Sequence, residues 1–316
     1  KKSKKVLNWK PKWNLQKTID SVINWNEKFK LNKNAKKIDQ FLKRFLRKQD
    51  NSLLVRPMKY GVISGGKKIR SKVIFDAGKL LRVSRNKLIY ICAAVECIHS
   101  YSLIHDDLPC MDNDDLRRGK LSTHKKFGEA TAVLAGNSLL TLSFEIISDR
   151  KNLISSKQKN EIISLLANCS GHTGIAGGQE LDLKFENKRK KVNQIIDMQR
   201  KKTGKLFNFC LQSIAILANK NKNEIKNFGM LGEDIGLLFQ LADDFLDIKG
   251  SKKLIGKSTN KDKKNGKSTL INLLGYKKAY KYAENLKKKI LLKLRKHGKN
   301  AKDLTDTIEF ILGRNF

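Results

Sequence analysis

The sequence is short of proline, of acidic residues and of long apolar runs. Its 316 residues hold three prolines, Pro11, Pro57 and Pro109. That is too few for the many tight turns of an all-β sandwich, and it favours helices. The five cysteines, Cys92, Cys97, Cys110, Cys169 and Cys210, are odd in number and lack paired metal spacing. This argues against a disulfide scaffold and for a reduced, cytoplasmic compartment. No uninterrupted apolar stretch approaches the ~18 residues of a membrane span, so none is expected. No apolar segment follows the basic N-terminus as it would in a secretory signal. Acids number 30 against 67 Lys and Arg, a formal charge of +37. A hydrophobic share of 40% nonetheless excludes a wholly disordered polycation.

What is abundant is lysine, since only 13 of the 67 bases are arginine. Nucleic acid is the obvious partner for such a charge, because phosphate contacts use Lys and Arg. Nucleic-acid binders concentrate their charge on one face or tail, interleaved with aromatics. Here lysine runs along the whole chain, often beside asparagine, as in Lys220-Asn221-Lys222-Asn223. We read it as a solvated surface and expect no nucleic-acid partner. Residues 1–34 form a basic extension with all three tryptophans, Trp9, Trp13 and Trp25. Residues 35–316 read as one all-α domain, a helical bundle around a central cavity. Ile38, Phe41, Leu42, Phe45 and Leu46 keep helical spacing. A strongly apolar helix covers 88–106, and others are expected near 129–149, 157–177, 191–218, 222–248, 268–296 and 302–313. Breaks are expected at Ser64-Gly65-Gly66, Arg118-Gly119-Lys120, Gly177-Gly178 and Gly250-Ser251.

In an acid-poor chain, two acidic concentrations are the anomaly. One is Asp106-Asp107-Leu108-Pro109-Cys110-Met111-Asp112, running on to Asp114 and Asp115; the other is Asp243-Asp244-Phe245-Leu246-Asp247. Both are expected at the C-terminal ends of apolar helices, where carboxylates oppose the helix dipole and repel one another. A divalent cation is the simplest compensation. Asp243 and Asp247 are i, i+4 and share a helix face. Asp106 and Asp112 are i, i+6 and would diverge on a regular helix. Pro109 cannot continue the ladder, so a turn over Leu108–Met111 is expected to bring Asp112 back beside Asp106. Hard oxygen ligands suit Mg²⁺, which shares its shell with substrate phosphates. An EF-hand reading fails for want of the loop Gly and Glu.

Basic groups stand at matching places. Gly65-Gly66-Lys67-Lys68-Ile69-Arg70 is a flexible turn followed by cations, a plausible phosphate site. Arg117 and Arg118 follow the first cluster, and Lys201-Lys202-Thr203-Gly204 lies within a helix. Gly256-Lys257-Ser258 and Gly266-Lys267-Ser268 imitate the end of a P-loop, but the required upstream glycine is missing in both. His99 and His105 flank Tyr101 on the apolar helix, where a histidine is more often structural.

Taken in order, these motifs resemble the trans-prenyltransferase (polyprenyl synthetase) family, and within it the bacterial farnesyl diphosphate synthases. The densest match is Cys97-Ile98-His99-Ser100-Tyr101-Ser102-Leu103-Ile104-His105-Asp106-Asp107-Leu108-Pro109-Cys110-Met111-Asp112. Gly177-Gly178-Gln179 with Asp182, Lys202-Thr203-Gly204 and Phe239-Gln240-Leu241-Ala242-Asp243-Asp244 add to it. The resemblance spans roughly Tyr60 to Arg314. It implies an isoprenoid-synthase bundle that joins isopentenyl diphosphate to dimethylallyl and then geranyl diphosphate. Asp106, Asp112 and Asp243 would hold about three Mg²⁺ ions on the allylic diphosphate, with Asp247 also on the metal side. Asp107 and Asp244, like Asp247, would support the metal shell through waters or as orienting partners. Arg117, Lys202 and Lys257 would contact the allylic diphosphate, with Gln240 there or on metal-bound waters and Lys267 a further candidate. Gly66, Lys67, Arg70, His99 and Arg118 would take the diphosphate of isopentenyl diphosphate. Thr203 and Gln179 would line the cavity where positive charge develops. Tyr101 and Ser102, upstream of Asp106, would set chain length, and the bulk of Tyr101 implies a C15 product; a C20 product is the alternative. The family also implies a homodimer. Lys68 and Ser71 depart from the arginine and proline usual there. A basic helical nucleic-acid-binding protein remains the alternative from another class.

Overall fold

A computed structural model describes residues 33–47, 52–63, 65–253 and 269–313. Helix α1 covers 33–47, and its Ile38, Leu42 and Leu46 are fully buried at i, i+4 spacing. Then come α2 (Val55–Val62), α3 (Ile69–Leu80) and α4 (Arg85–Asp106). After a hairpin follow α5 (Thr123–Phe127), α6 (Glu129–Ser148), α7 (Ser156–Ser170), α8 (Ile175–Phe185) and α9 (Val192–Gln199). A π-helical turn, Arg200–Gly204, leads into α10 (Lys205–Leu217) and the long α11 (Lys222–Lys253). The described chain closes with α12 (Leu270–Leu274), α13 (Tyr276–Arg295), a 3₁₀ turn (Gly298–Ala301) and α14 (Lys302–Gly313).

The centre is built from two helix pairs, α4 on α6 and α10 on α11, with α3 against both α4 and α10. Residues Ile91–Ile98 of α4 and Leu206–Leu211 of α10 are buried without interruption. A helix apolar all round belongs inside a bundle. By length and hydropathy α4 and α6 could each cross a membrane; here they pack on one another.

Several expected boundaries move. The segment 157–177 divides at Gly171–Gly174, and Gly177-Gly178, read as a break, lies inside α8. Gly178 is there for close approach: a side chain on it would meet the Lys202 backbone nitrogen at 2.2 Å. The segment 191–218 is α-helical only at its ends, with the π turn between. Helix α11 runs through Gly250-Ser251 to Lys253, so the second acidic cluster sits inside a helix and not at its C-terminus. Gly275, at φ +77, separates α12 from α13.

Candidate active site

The first cluster forms where α4 ends. Past Asp106 the chain leaves the helix through the expected turn, and the Asp112 N–H donates to the Asp106 carbonyl at 2.8 Å. Asn113 N–H returns to Leu108 O at 3.1 Å and Asp114 N–H to Asp107 O at 3.2 Å. Asn113, at φ +50, takes the left-handed conformation that asparagine tolerates. Asp106 and Asp112 thus end side by side. Burial pushes the Asp106 carboxyl up to about 6; Lys202 opposes this, and the charges of Asp112 and Asp107 add to it. Asp107 points elsewhere. It is buried at 2% exposure, and Arg117 Nε donates to its Oδ1 at 2.9 Å and its Oδ2 at 3.3 Å. It serves as the orienting partner of Arg117.

Arg117 and Arg118 come from a hairpin that helical spacing did not reveal. Leu116–Arg117 pairs with Lys120–Leu121, and Arg118 and Gly119 turn with φ +55 and +72. Positive φ at both central residues is the turn that matches strand twist. The break read at Arg118-Gly119-Lys120 is this turn. It sends the two arginines apart: Arg117 to Asp107, Arg118 to the glycine loop, where its Nη1 donates to Gly65 O at 2.6 Å. Gly66, at φ +110, leaves room for that guanidinium, which a side chain would meet at 2.8 Å.

Around His99 the basic residues gather. Lys68 is buried, its Nζ 3.2 Å from Asp39 and 3.3 Å from the Val62 carbonyl. The Arg70 guanidinium lies over the rings of Phe207 and Phe239, 5.1 and 5.7 Å from their centres. Burial, then Arg70, Arg118, Lys68 and Arg117, hold the His99 imidazole well below its usual range and keep it neutral. His105 has a structural place instead, its Nε2 3.1 Å from Val133 O.

On α11, Asp243 is half-buried and Asp247 exposed. Asp244 turns inward at 5% exposure. Gln240 Nε2 donates to its Oδ1 at 2.8 Å and Gln199 Nε2 to its Oδ2 at 3.2 Å. Thr203 Oγ1 donates to Gln240 Oε1 at 2.8 Å. Asp244 therefore anchors a relay that ends at Thr203. The π turn delivers Thr203 and its neighbour Lys202, whose Nζ lies 2.5 Å from Asp182. Such turns recur at functional sites. Both amide atoms of Gln179 are buried, with no hydrogen-bond partner among the described residues. Lys257 and Lys267 lie outside the described residues, as do residues 1–32. Local spacing does not point to Gln199 or Glu96, and it reads Lys68 only as one cation of the turn at 65–70. Glu96 was readable, as an acid inside an apolar run of an acid-poor chain.

Among the described residues no three acid, histidine or cysteine side chains group closely enough to form a metal site by themselves. The donor chemistry still fits Mg²⁺. Asp106 and Asp112 are hard oxygen donors whose mutual repulsion, in a half-buried place, a cation would relieve.

Comparison with known proteins gives the family and the fold. The sequence model of the polyprenyl synthetase family matches residues 51–310. The farnesyl diphosphate synthase of Escherichia coli (strain K12) is 40% identical over 287 residues, 89% of this chain and 96% of that protein. The crystal structure of a geranyltransferase from Legionella pneumophila superposes with a TM-score of 0.81 at 32% identity, covering 92% of this chain and 98% of that one. A geranyltransferase from Helicobacter pylori, complexed with magnesium and isoprenyl diphosphate, gives 0.73 at 30% identity, covering 90% and 96%.

Proposed function

The chain belongs to the polyprenyl synthetase family, and from that premise we propose that it is a farnesyl diphosphate synthase. It joins isopentenyl diphosphate to dimethylallyl diphosphate and then to geranyl diphosphate. The observation that carries this reading is the pairing of two unlike anion sites. One is a carboxylate pair beside Lys202 and Arg117; the other is cationic, with Lys68, Arg70 and Arg118 around a neutral His99. Two diphosphate substrates need two such sites, whereas a cyclase of one diphosphate needs only the first.

Asp106, Asp112 and Asp243, with Asp247 at the rim, would hold Mg²⁺, about three ions as in the family expectation. When bound, the metal draws negative charge off the leaving diphosphate. Arg117, fixed by Asp107, and Lys202, fixed by Asp182, hold that diphosphate from the protein side. The allylic C–O bond ionises, and its electron pair leaves with the diphosphate. The double bond of isopentenyl diphosphate attacks the cation, and the departed diphosphate takes the proton that is lost. Thr203 donates its hydroxyl hydrogen bond to Gln240 Oε1, so its oxygen lone pairs remain for the developing cation. The chain of donors to Asp244 polarises it further. The Gln179 amide oxygen is a second dipole in the same role. Lys67, Arg70, His99 and Arg118 hold the second diphosphate. The apolar faces of the bundle exclude the water that would quench the cation.

Tyr101 supports a C15 product. It is five residues ahead of Asp106, 9% exposed, and its hydroxyl donates to Ser170 O at 3.3 Å. A pinned aromatic at that depth would stop the growing chain. Exposed Val133 and Leu134 on α6 offer an apolar patch for the homodimer of the family reading. Five free thiols, four of them buried, suit the cytoplasm. The test is an assay with Mg²⁺, isopentenyl diphosphate and either allylic diphosphate, with products chromatographed. C15 diphosphate that disappears on chelation is the expected result. A folded protein that yields no prenyl product overturns the reading.

A further inference from the structure

Behind the cation cluster stands a carboxylate to which the reading above gives no task. Glu96 lies three residues before His99 on α4 and is only 4% exposed. Ser71 Oγ donates to its Oε1 at 2.6 Å, and Lys68 Nζ is 3.8 Å from its Oε2. Burial lowers the basicity of Arg70 and Arg118, and the charge of Glu96 works against that in both. One buried anion therefore stands beside Lys68, and its charge is felt by Arg70 and Arg118 of the same site.

Those cations do not need Glu96 for their positions. Lys68 is also held by Asp39 and the Val62 carbonyl, Arg118 by the Gly65 carbonyl, and Arg70 by the rings of Phe207 and Phe239. What Glu96 adds is charge. It lowers the net charge of the empty site, and it repels any anion that enters.

The chemistry of elongation gives that repulsion a use. The new C–C bond attaches the allylic group to isopentenyl diphosphate, so the product keeps the diphosphate of the isopentenyl unit. The product therefore starts in the cationic site. It must leave that site to be released, or to be ionised at the carboxylates in a second round. A site that held diphosphate too tightly would stall both steps. Tighter binding of substrate and product alike does not speed the chemistry.

We propose that Glu96, with Asp39 as a weaker second, is a built-in counter-ion that tempers the diphosphate affinity of the cationic site and sets how fast elongated product leaves it. This rests on the two-site reading under Proposed function. The test is a calorimetric titration of the full chain with isopentenyl diphosphate, without Mg²⁺ and without an allylic partner. Salt near 0.15 M screens the surface lysines. Glu96→Gln keeps the shape and an acceptor for Ser71 but removes the charge. It should tighten binding on the order of tenfold, the effect of one charge through an interior of intermediate dielectric. Asp39→Asn, at a half-buried position, should tighten it about twofold to threefold. In turnover, Glu96→Gln should lower both KM for isopentenyl diphosphate and kcat, and quenched reactions should hold more C10 diphosphate.

Equal or weaker binding by Glu96→Gln overturns the proposal, weaker binding meaning that Glu96 places the cations. Should that variant fail to fold, Asp39→Asn decides by the sign of its shift, and an unchanged or weakened affinity counts against the proposal. The two-site reading fails separately, if the unaltered protein forms no prenyl product.

Discussion

The two acidic clusters use the same residue type in opposite ways. The first lies where a helix ends, and its carboxylates meet because the chain turns: Asp112 returns to the Asp106 carbonyl across Pro109. The second lies inside α11, and Asp243 and Asp247 share a face through helical geometry alone. Each spends its second aspartate on support. Asp107 clamps a charged guanidinium, whereas Asp244 is clamped by two neutral amides. The first cluster is thus the more buried and charge-coupled, the second the more regular. Loss of a carboxylate should cost more in the first.

The largest effects should follow that asymmetry. Asp106→Asn and Asp112→Asn are each expected to lower kcat by about a thousandfold, the scale of losing a main electrostatic stabiliser of the transition state. Asp247→Asn, exposed and one turn beyond Asp243, should cost only about tenfold. Steady-state rates at saturating Mg²⁺ check this, and equal losses at Asp112 and Asp247 would erase the distinction.

Next come the clamps. Asp107→Asn leaves Arg117 only its longer contact with the Asp114 carboxylate, at 3.4 Å, and charge-assisted bonds are roughly twice as strong as neutral ones. KM for the allylic diphosphate should rise about tenfold to thirtyfold, with kcat falling less. Gln199→Leu removes the amide that donates to Asp244 Oδ2. A loss of about 1–3 kcal/mol in unfolding free energy and a severalfold fall in kcat are expected. Denaturant titration beside the rate assay separates the two. If Gln199→Leu damages allylic binding as much as Asp107→Asn does, the clamps are equivalent after all.

Much of this is legible in the sequence. The helical spacing of Ile38 to Leu46, the buried run in α4 and the turn over Leu108–Met111 all follow from local sequence, because period and proline placement act within a few residues. The supports were harder to read. Gln199 and Asp244 are 45 residues apart, and Thr203 meets Gln240 across 37. Nothing in the local pattern says that a given amide will face a given carboxylate. The hairpin hid because its strands are two residues long. Gly177-Gly178 misled for a related reason: glycine signals a break when read alone, yet here it admits the backbone of a distant turn.

The smallest effect on rate, and the sharpest on product, should come from the residues ahead of each cluster. Five positions before Asp106 stands Tyr101; five before Asp243 stands Leu238, fully buried. Only the first pairs an aromatic ring with a polar anchor, the Ser170 carbonyl. Tyr101→Ala should lengthen the product beyond C15 while lowering the initial rate less than any carboxylate change. It also opens a cavity and should lose about 3–5 kcal/mol of stability, as large aromatic truncations do. Tyr101→Phe separates bulk from anchor: it keeps the ring, forfeits about 1 kcal/mol of hydrogen bonding, and should leave product length alone. Leu238→Ala should cost about 2–5 kcal/mol with no change of product. Chromatography of products at limiting isopentenyl diphosphate decides. If Leu238→Ala lengthens the chain and Tyr101→Ala does not, the pocket floor belongs to the second helix, and the asymmetry between the clusters runs the other way.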